Sequence, residues 1–196
     1  MLMRKYSKLA IVFSHTSPDE VETGTTVQLT NGTDTIEVAD FGSALNLLPP
    51  GSEVLVIAKG TVGNRTVHNI SRIIGESNVF VALDLTDVTE CSRVNASPFR
   101  GNERILSISF PSNLVSINPC AFSGCTALES VFIPVSCRKI GEQAFAGCKN
   151  LNRIEFKDSS GWSSRGVPID DLKNPRENPK KFVTPRSIYY SQIIEK

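Results

Sequence analysis

Five cysteines (Cys91, Cys120, Cys125, Cys137, Cys148) and two histidines (His15, His68) are the side chains of this chain most able to do metal or nucleophilic chemistry. Zinc is held by thiolates and imidazoles that usually come as close pairs on short turns. Cys120 and Cys125 have four residues between them and no close cysteine pair follows, so the spacing argues against a zinc site. His68 falls within a predicted helix, where a solvated imidazole is the ordinary reading. A Cys–His nucleophile would need a pairing in space that nothing in the spacing indicates. There is no His-Glu-x-x-His, no phosphate-binding glycine loop and no nucleophile elbow. The expectation is a chain with no catalytic residue, no metal and no cofactor.

Composition narrows the classes further. Apolar residues make up 40% of the 196 and charged residues 21%, which favours a globular core over disorder. A net charge of +1 gives no general pull toward nucleic acid or an anionic membrane. No apolar run approaches the roughly 20 residues that span a bilayer. Arg4, Lys5 and Lys8 precede an apolar stretch, but Leu9–Phe13 is only five residues long, against about 7 to 15 in a secretory signal. A short strand is the better reading of it. Lys173, Arg176, Lys180, Lys181 and Arg186 make the tail mildly basic, and Asp170, Asp171 and Glu177 dilute them, so a solvated face is expected rather than a nucleic-acid site.

The cysteines acquire a plainer meaning from an internal repeat. Phe99, Phe122 and Phe145 lie 23 residues apart (122 − 99 and 145 − 122), each followed two residues later by Gly101, Gly124 or Gly147. Apolar columns repeat at the same interval: Ala82, Ile105, Leu128, Leu151; Leu85, Ile108, Val131, Ile154; Phe110, Ile133, Phe156, broken by Asp87; and Val94, Ile117, Ile140. Cys125 and Cys148 occupy one column, and Cys91, Leu114 and Cys137 another. Cysteine there stands in for a small buried hydrophobe. Reduced buried thiols point weakly to a reducing compartment, so the cytoplasm is favoured over the periplasm or cell surface. Ile108-Ser109-Phe110 and Val131-Phe132-Ile133 alternate as strands do, and Pro111 and Pro134 end them. Coils this short must stack to bury their apolar sides, with parallel strands about 4.8 Å apart.

The pattern Leu128-x-x-Val131-x-Ile133-Pro134…Ile140-Gly141-x-x-Ala144-Phe145-x-Gly147-Cys148 resembles the treponemal-type, BspA-like leucine-rich repeat. The resemblance is clearest over 79–158, with Phe80–Thr86 similar to a first regular strand and the stretch after Gly161-Trp162 similar to a C-terminal cap. It departs from the commonest leucine-rich form, which places Asn or Cys three positions after the strand. Only Asn113 fills that slot. The resemblance implies adhesion or protein contact rather than catalysis.

The fold expected is an α/β-type leucine-rich-repeat solenoid, a short curved parallel sheet with capping helices at its N-terminal end. One domain spans 1–196: an extension over 1–35, a cap with irregular first repeats over 36–78, regular repeats over 79–158, and a C-terminal cap over 159–196. Val38, Phe41, Leu45 and Leu48 predict a helix stopped by Pro49-Pro50-Gly51. Val54–Ile57 predicts a buried strand, and Val67, Ile70 and Ile74 a second helix ending at Gly75.

The residues alternating with the buried columns give the outward face of the sheet. One predicted row is Asp84, Ser107, Ser130 and Arg153, the next Thr86, Ser109, Phe132 and Glu155. Most are small and polar, with Phe132 the aromatic exception and a candidate anchor. Two of the four apolar residues in Val54–Ile57 should face the same way. The expected partner is a protein or peptide on this face. The alternative is a small apolar ligand in a pocket near Phe132.

Overall fold

The computed structural model of the chain describes residues 10–15, 26–30, 35–38, 40–61, 64–95, 97–164, 166–169, 172–183 and 193–196. Their elements run β1 (Ala10–His15), β2 (Thr26–Thr30), β3 (Thr35–Val38), α1 (Phe41–Asn46), β4 (Glu53–Thr61), α2 (Asn64–Glu76), β5 (Phe80–Thr89), β6 (Arg93–Val94), β7 (Ile105–Ser109) and β8 (Ser116–Ile117). There follow β9 (Ser130–Ile133), β10 (Lys139–Ile140), β11 (Arg153–Phe156), β12 (Ser163–Ser164), β13 (Val167–Pro168), α3 (Asn178–Val183) and β14 (Ile194–Glu195). Among the described residues the strands form two sheets, ordered β11-β9-β7-β5-β4-β1-β2-β3 and β13-β12-β14-β10-β8-β6. From β1 through β4, β5, β7 and β9 to β11 the main sheet is parallel, while β2 and β3 join antiparallel. A parallel sheet with few helices is the α/β class expected of leucine-rich repeats.

Each repeat supplies one strand to each sheet. Ser107 faces Ser130 and Ser130 faces Arg153, an offset of 23 at both steps (130 − 107, 153 − 130). Arg93, Ser116 and Lys139 keep the same offset in the second sheet. Between β5 and β7 the expected interval fails. Ala82 faces Ser107, Leu83 faces Ile108 and Asp84 faces Ser109, an offset of 25 (107 − 82), with an irregularity between Val81 and Ala82. One of the two extra residues is Leu106, left without a partner in β7 where Val81 faces Ile105 and Ala82 faces Ser107, and β5 itself goes on pairing with β4 as far as Thr89 opposite Thr61. Leu83, not Leu85, therefore heads the Ile108 column. The same offset carries Leu85 to the level of Phe110, so Asp87 breaks nothing. Ala82 leaves the core column and joins Leu55 and Leu106 in a separate apolar cluster, flanked by Ile57, Phe80 and Ala127.

The core fills the space between the sheets. Ile108, Val131 and Ile154 enter it from the main sheet, and Val94, Ile117 and Ile140 from the second. Phe99, Phe122 and Phe145 stack within it, with ring centroids 4.9 and 5.6 Å apart and planes tilted by 9° and 13°. The loops carrying them bond to each other as a ladder: Phe99 N–H donates to Ala121 O, Phe122 N–H to Ala144 O, Gly101 N–H to Ser123 O and Gly124 N–H to Ala146 O, at 2.7–3.1 Å. Gly101, Gly124 and Gly147 turn these loops at φ of +70°, +78° and +73°, a region that a side chain disfavours. One position on, the Cys125 thiol donates to Phe99 O at 2.9 Å and the Cys148 thiol to Phe122 O at 3.0 Å. Cysteine at this position thus does more than fill space: it ties each loop to the one before.

The flanking elements correct two expectations. Val38 belongs to β3, opposite Val27, and not to the first helix. Asp40 starts α1 instead, its carboxylate accepting from Ser43 N–H at 2.8 Å as an N-cap does. The second helix runs through Gly75 to Glu76, with Val67, Ile70 and Ile74 buried. The strand expected over Leu9–Phe13 is β1 from residue 10 onward, and β2 follows it over Thr26–Thr30. The basic residues Arg4, Lys5 and Lys8 that precede β1 lie outside the described residues. At the other end Trp162 meets Phe156 edge-on at 5.2 Å, and Phe182 of α3 meets Phe145 and Phe156 at 6.3 and 6.1 Å. Pro175 O accepts from Ile154 N–H and the Asn178 amide donates to Ile154 O, so this segment pairs the Ile154 backbone groups on the free edge of β11. No helix among the described residues is long and apolar enough to cross a membrane.

Candidate functional site

The outward face of the main sheet is built by alternation. In β9, Val131 and Ile133 point into the core while Ser130 and Phe132 are half-buried on the other side. In β11, Arg153 and Glu155 do the same against buried Ile154 and Phe156. The register gives two rows: Leu55, Ala82, Ser107, Ser130, Arg153, and Ile57, Asp84, Ser109, Phe132, Glu155. The expected rows are thus corrected at their N-terminal end. Asp84 stands beside Ser109 rather than Ser107, and Thr86 lies beyond the row, because of the 25-residue offset between β5 and β7. Leu55 and Ile57 are the two residues of Val54–Ile57 on this face, and Val54 and Val56 are in the core.

Two further members of the expected face are not accessible. Ser107 and Ser109 are only 1% and 3% exposed. A serine reaches little beyond the backbone, so longer neighbours cover it. Ser109 lies between Asp84 and Phe132, and Ser107 follows Leu106, which is part of the outward apolar cluster. Their small size lets the neighbours close over them instead of leaving the face uncluttered.

Phe132, Arg153 and Glu155 form one constellation. The Arg153 guanidinium carbon lies 5.9 Å from the Phe132 ring centroid, over its face. The same guanidinium donates to one Glu155 carboxylate oxygen at 2.6 and 3.2 Å. A cation held by a carboxylate and stacked on a ring fixes the ring's position on a half-exposed surface. At the other side of the face the Asp84 carboxylate accepts from Thr86 N–H at 2.9 Å and from its hydroxyl at 2.7 Å. Between these groups lies an open concavity of about 480 Å³, lined by Thr86, Ser109, Phe132 and Glu155 from the expected set. Its remaining wall comes from Phe110, Ser112, Ile133, Pro134, Val135 and Lys157. Val135, 46% exposed, is an apolar wall residue that alternation did not single out, because it follows the strand-ending Pro134.

The thiols lie elsewhere. Cys91, Cys125, Cys137 and Cys148 are buried, and all five cysteines are free. Burial pushes Cys91 and Cys137 up to about 11. Cys125 is raised by its neighbour Cys148 and then by burial. Raised thiols are poor nucleophiles at neutral pH. Among the described residues no group of three or more His, Cys, Asp or Glu side chains could hold a metal ion. His68 is exposed on α2.

Comparison with known proteins adds one finding. The family model described as the BspA type leucine rich repeat region matches residues 76–163, with 6 copies. No curated protein matches the chain.

Proposed function

We propose that this chain, whose residues 76–163 are a BspA-type leucine-rich-repeat region, is a non-enzymatic module that binds a protein or peptide across the outward face of its main sheet. Leucine-rich repeats in general serve protein interaction, through the extended surfaces that stacked coils create. In this reading the coils are a short curved solenoid within one domain, closed at the N-terminal end by α1 and α2. The observation that carries the proposal is the concavity around Phe132. It combines a half-buried aromatic ring, a neighbouring ion pair and an exposed valine, the mixture found at interface anchors.

The openness of the concavity favours a peptide segment over an enclosed small molecule. Its volume of about 480 Å³ would still admit a small apolar ligand, which is the second reading. Five free thiols support a reducing compartment, and the cytoplasm is the location we propose. The test is capture of partners by the wild type and by Phe132→Ser. Covering the ring is worth about 1–3 kcal/mol, so the variant should bind its partner about tenfold more weakly with an unchanged melting temperature. Undiminished binding of every captured partner by a folded Phe132→Ser protein refutes the sheet-face site.

A further inference from the structure

We infer that the outer surface of the second sheet is a separate docking groove for an extended acidic peptide segment of a partner protein, one that also carries apolar side chains. The groove crosses β6, β8, β10 and β14 and has a volume of about 630 Å³. It lies across the core from Phe132, because Val94, Ile117 and Ile140 of the same strands point inward.

Its charge is one-sided. Arg93, Arg138, Lys139 and Lys196 line it against a single carboxylate side chain, Glu195. The ion pairs among the described residues are Lys59–Asp87, Arg72–Glu76, Arg153–Glu155, Lys180–Glu177 and Lys196–Asp158. Arg93, Arg138 and Lys139 belong to none of them, and all three are exposed. Arg93 and Lys139 share one register column with Ser116 between them. Two strand spacings therefore separate them, about 10 Å. A ligand meeting both must be extended and must run across the coils rather than along one strand.

Apolar side chains set the second requirement. Val115 and Ile193, 42% and 37% exposed, line the same groove. They are two of the five large apolar side chains exposed among the described residues. A wholly polar polyanion would leave them uncovered, whereas a peptide alternating acidic and apolar residues satisfies both features. Glu195 stands directly opposite Lys139 across β10 and β14. The acidic residues of the ligand therefore belong toward Arg93 and Arg138, with its apolar residues toward Ile193.

The proposal is tested by fluorescence anisotropy on the full chain with a labelled synthetic peptide alternating glutamate and valine. The wild type should bind it, and the same peptide with glutamine for glutamate should bind about tenfold more weakly or less. Arg138→Gln/Lys139→Gln, and separately Arg93→Gln, should each weaken binding severalfold or more without changing the melting temperature. Val115→Ser should also weaken it, while Phe132→Ser should not. Failure of the wild type to bind, or equal binding of the glutamine peptide, overturns the inference. So does tight binding of heparin fragments together with no effect of Val115→Ser, which would mark a plain polyanion surface.

Discussion

Phe122→Ala removes the middle ring of the stacked column and is the sharpest probe of the architecture. The side chain is fully buried, between Phe99 at 4.9 Å and Phe145 at 5.6 Å, with Phe110 edge-on at 5.9 Å. A buried phenylalanine removes roughly 150–250 Å² from water, which at about 25 cal/mol per Å² is worth about 4–6 kcal/mol. Alanine keeps the β-carbon but leaves a cavity that the laddered loops on both sides cannot close, so a net loss of about 3–5 kcal/mol is expected. For a chain of this length that lowers the melting temperature by about 6–20 °C. Urea unfolding should show a lower midpoint with an unchanged slope, meaning lost stability rather than a different unfolded state. Phe122→Leu, which keeps most of the apolar volume, should lose about 1–2 kcal/mol. A loss below about 1 kcal/mol for the alanine variant would refute the buried column and, with it, the stacking of the coils.

Two further substitutions should act with opposite signs. Gly124 sits at φ +78°, so Gly124→Ala should destabilise by about 1–2 kcal/mol in urea unfolding, through backbone strain alone. Gly75 lies within α2 and an added β-carbon there meets nothing nearer than 3.5 Å, so Gly75→Ala should stabilise by about 0.4–1 kcal/mol. The buried thiols predict an alkaline limit. Cys91 and Cys137 are raised from 9.0 to about 11 in the folded chain, so between these values the unfolded state holds fewer protons and is favoured. Stability present below pH 9.0 should fall as pH rises toward about 11 and level off beyond it. Urea midpoints measured across that window should fall less steeply in Cys91→Ala/Cys137→Ala, and an equal slope in the variant counts against the burial of these thiols.

The fold was legible where side chains recur at a fixed interval, because stacked coils must place like residues in like surroundings. Phe99, Phe122 and Phe145 located the coils from spacing alone, and the strands followed from alternation beside Pro111 and Pro134. Spacing could not reveal that the offset from β5 to β7 is 25 (107 − 82) and not 23, since it depends on the irregular pairing at Leu106 and on a β5 that pairs with β4, a partner outside the regular repeat. That one shift displaced Asp84 and Thr86 within the outward rows. The concave site was half legible. Phe132, Arg153 and Glu155 were placed on one face by alternation, but the burial of Ser107 and Ser109 depends on how far their neighbours reach. Val135 and Lys157 joined the wall from beyond the strand ends, where alternation gives no guidance. The basic groove is marked in the sequence by Arg93 and Lys139, two periods apart (139 − 93 = 46, twice 23).

The C-terminal end explains why the stack stops where it does. The repeat interval carries Ile140 of β10 to Ser163 of β12 (163 − 140 = 23), so β12 is the strand the period would set beside β10. It is not β10's neighbour. β14 lies between them, antiparallel to both, with Ile140 opposite Ile194 and Ser164 opposite Ile194 on the other side. The parallel ladder of the coils thus ends at β10, and β12 pairs with β14 in antiparallel fashion in place of β10. The insertion is held by burial of Ile194, by Lys196 N–H donating to Arg138 O at 2.7 Å, and by the Lys196–Asp158 ion pair. In the main sheet the same task falls to Pro175 and Asn178 on β11. Where the regular coils stop, each sheet thus meets a different device from the same C-terminal segment, and neither device continues the spacing that built the coils before it. The last regular coil therefore meets β14 on one sheet and the Pro175–Asn178 segment on the other, while the outward surfaces at Phe132 and at Arg93–Lys139 stay on the coils that these closures bound.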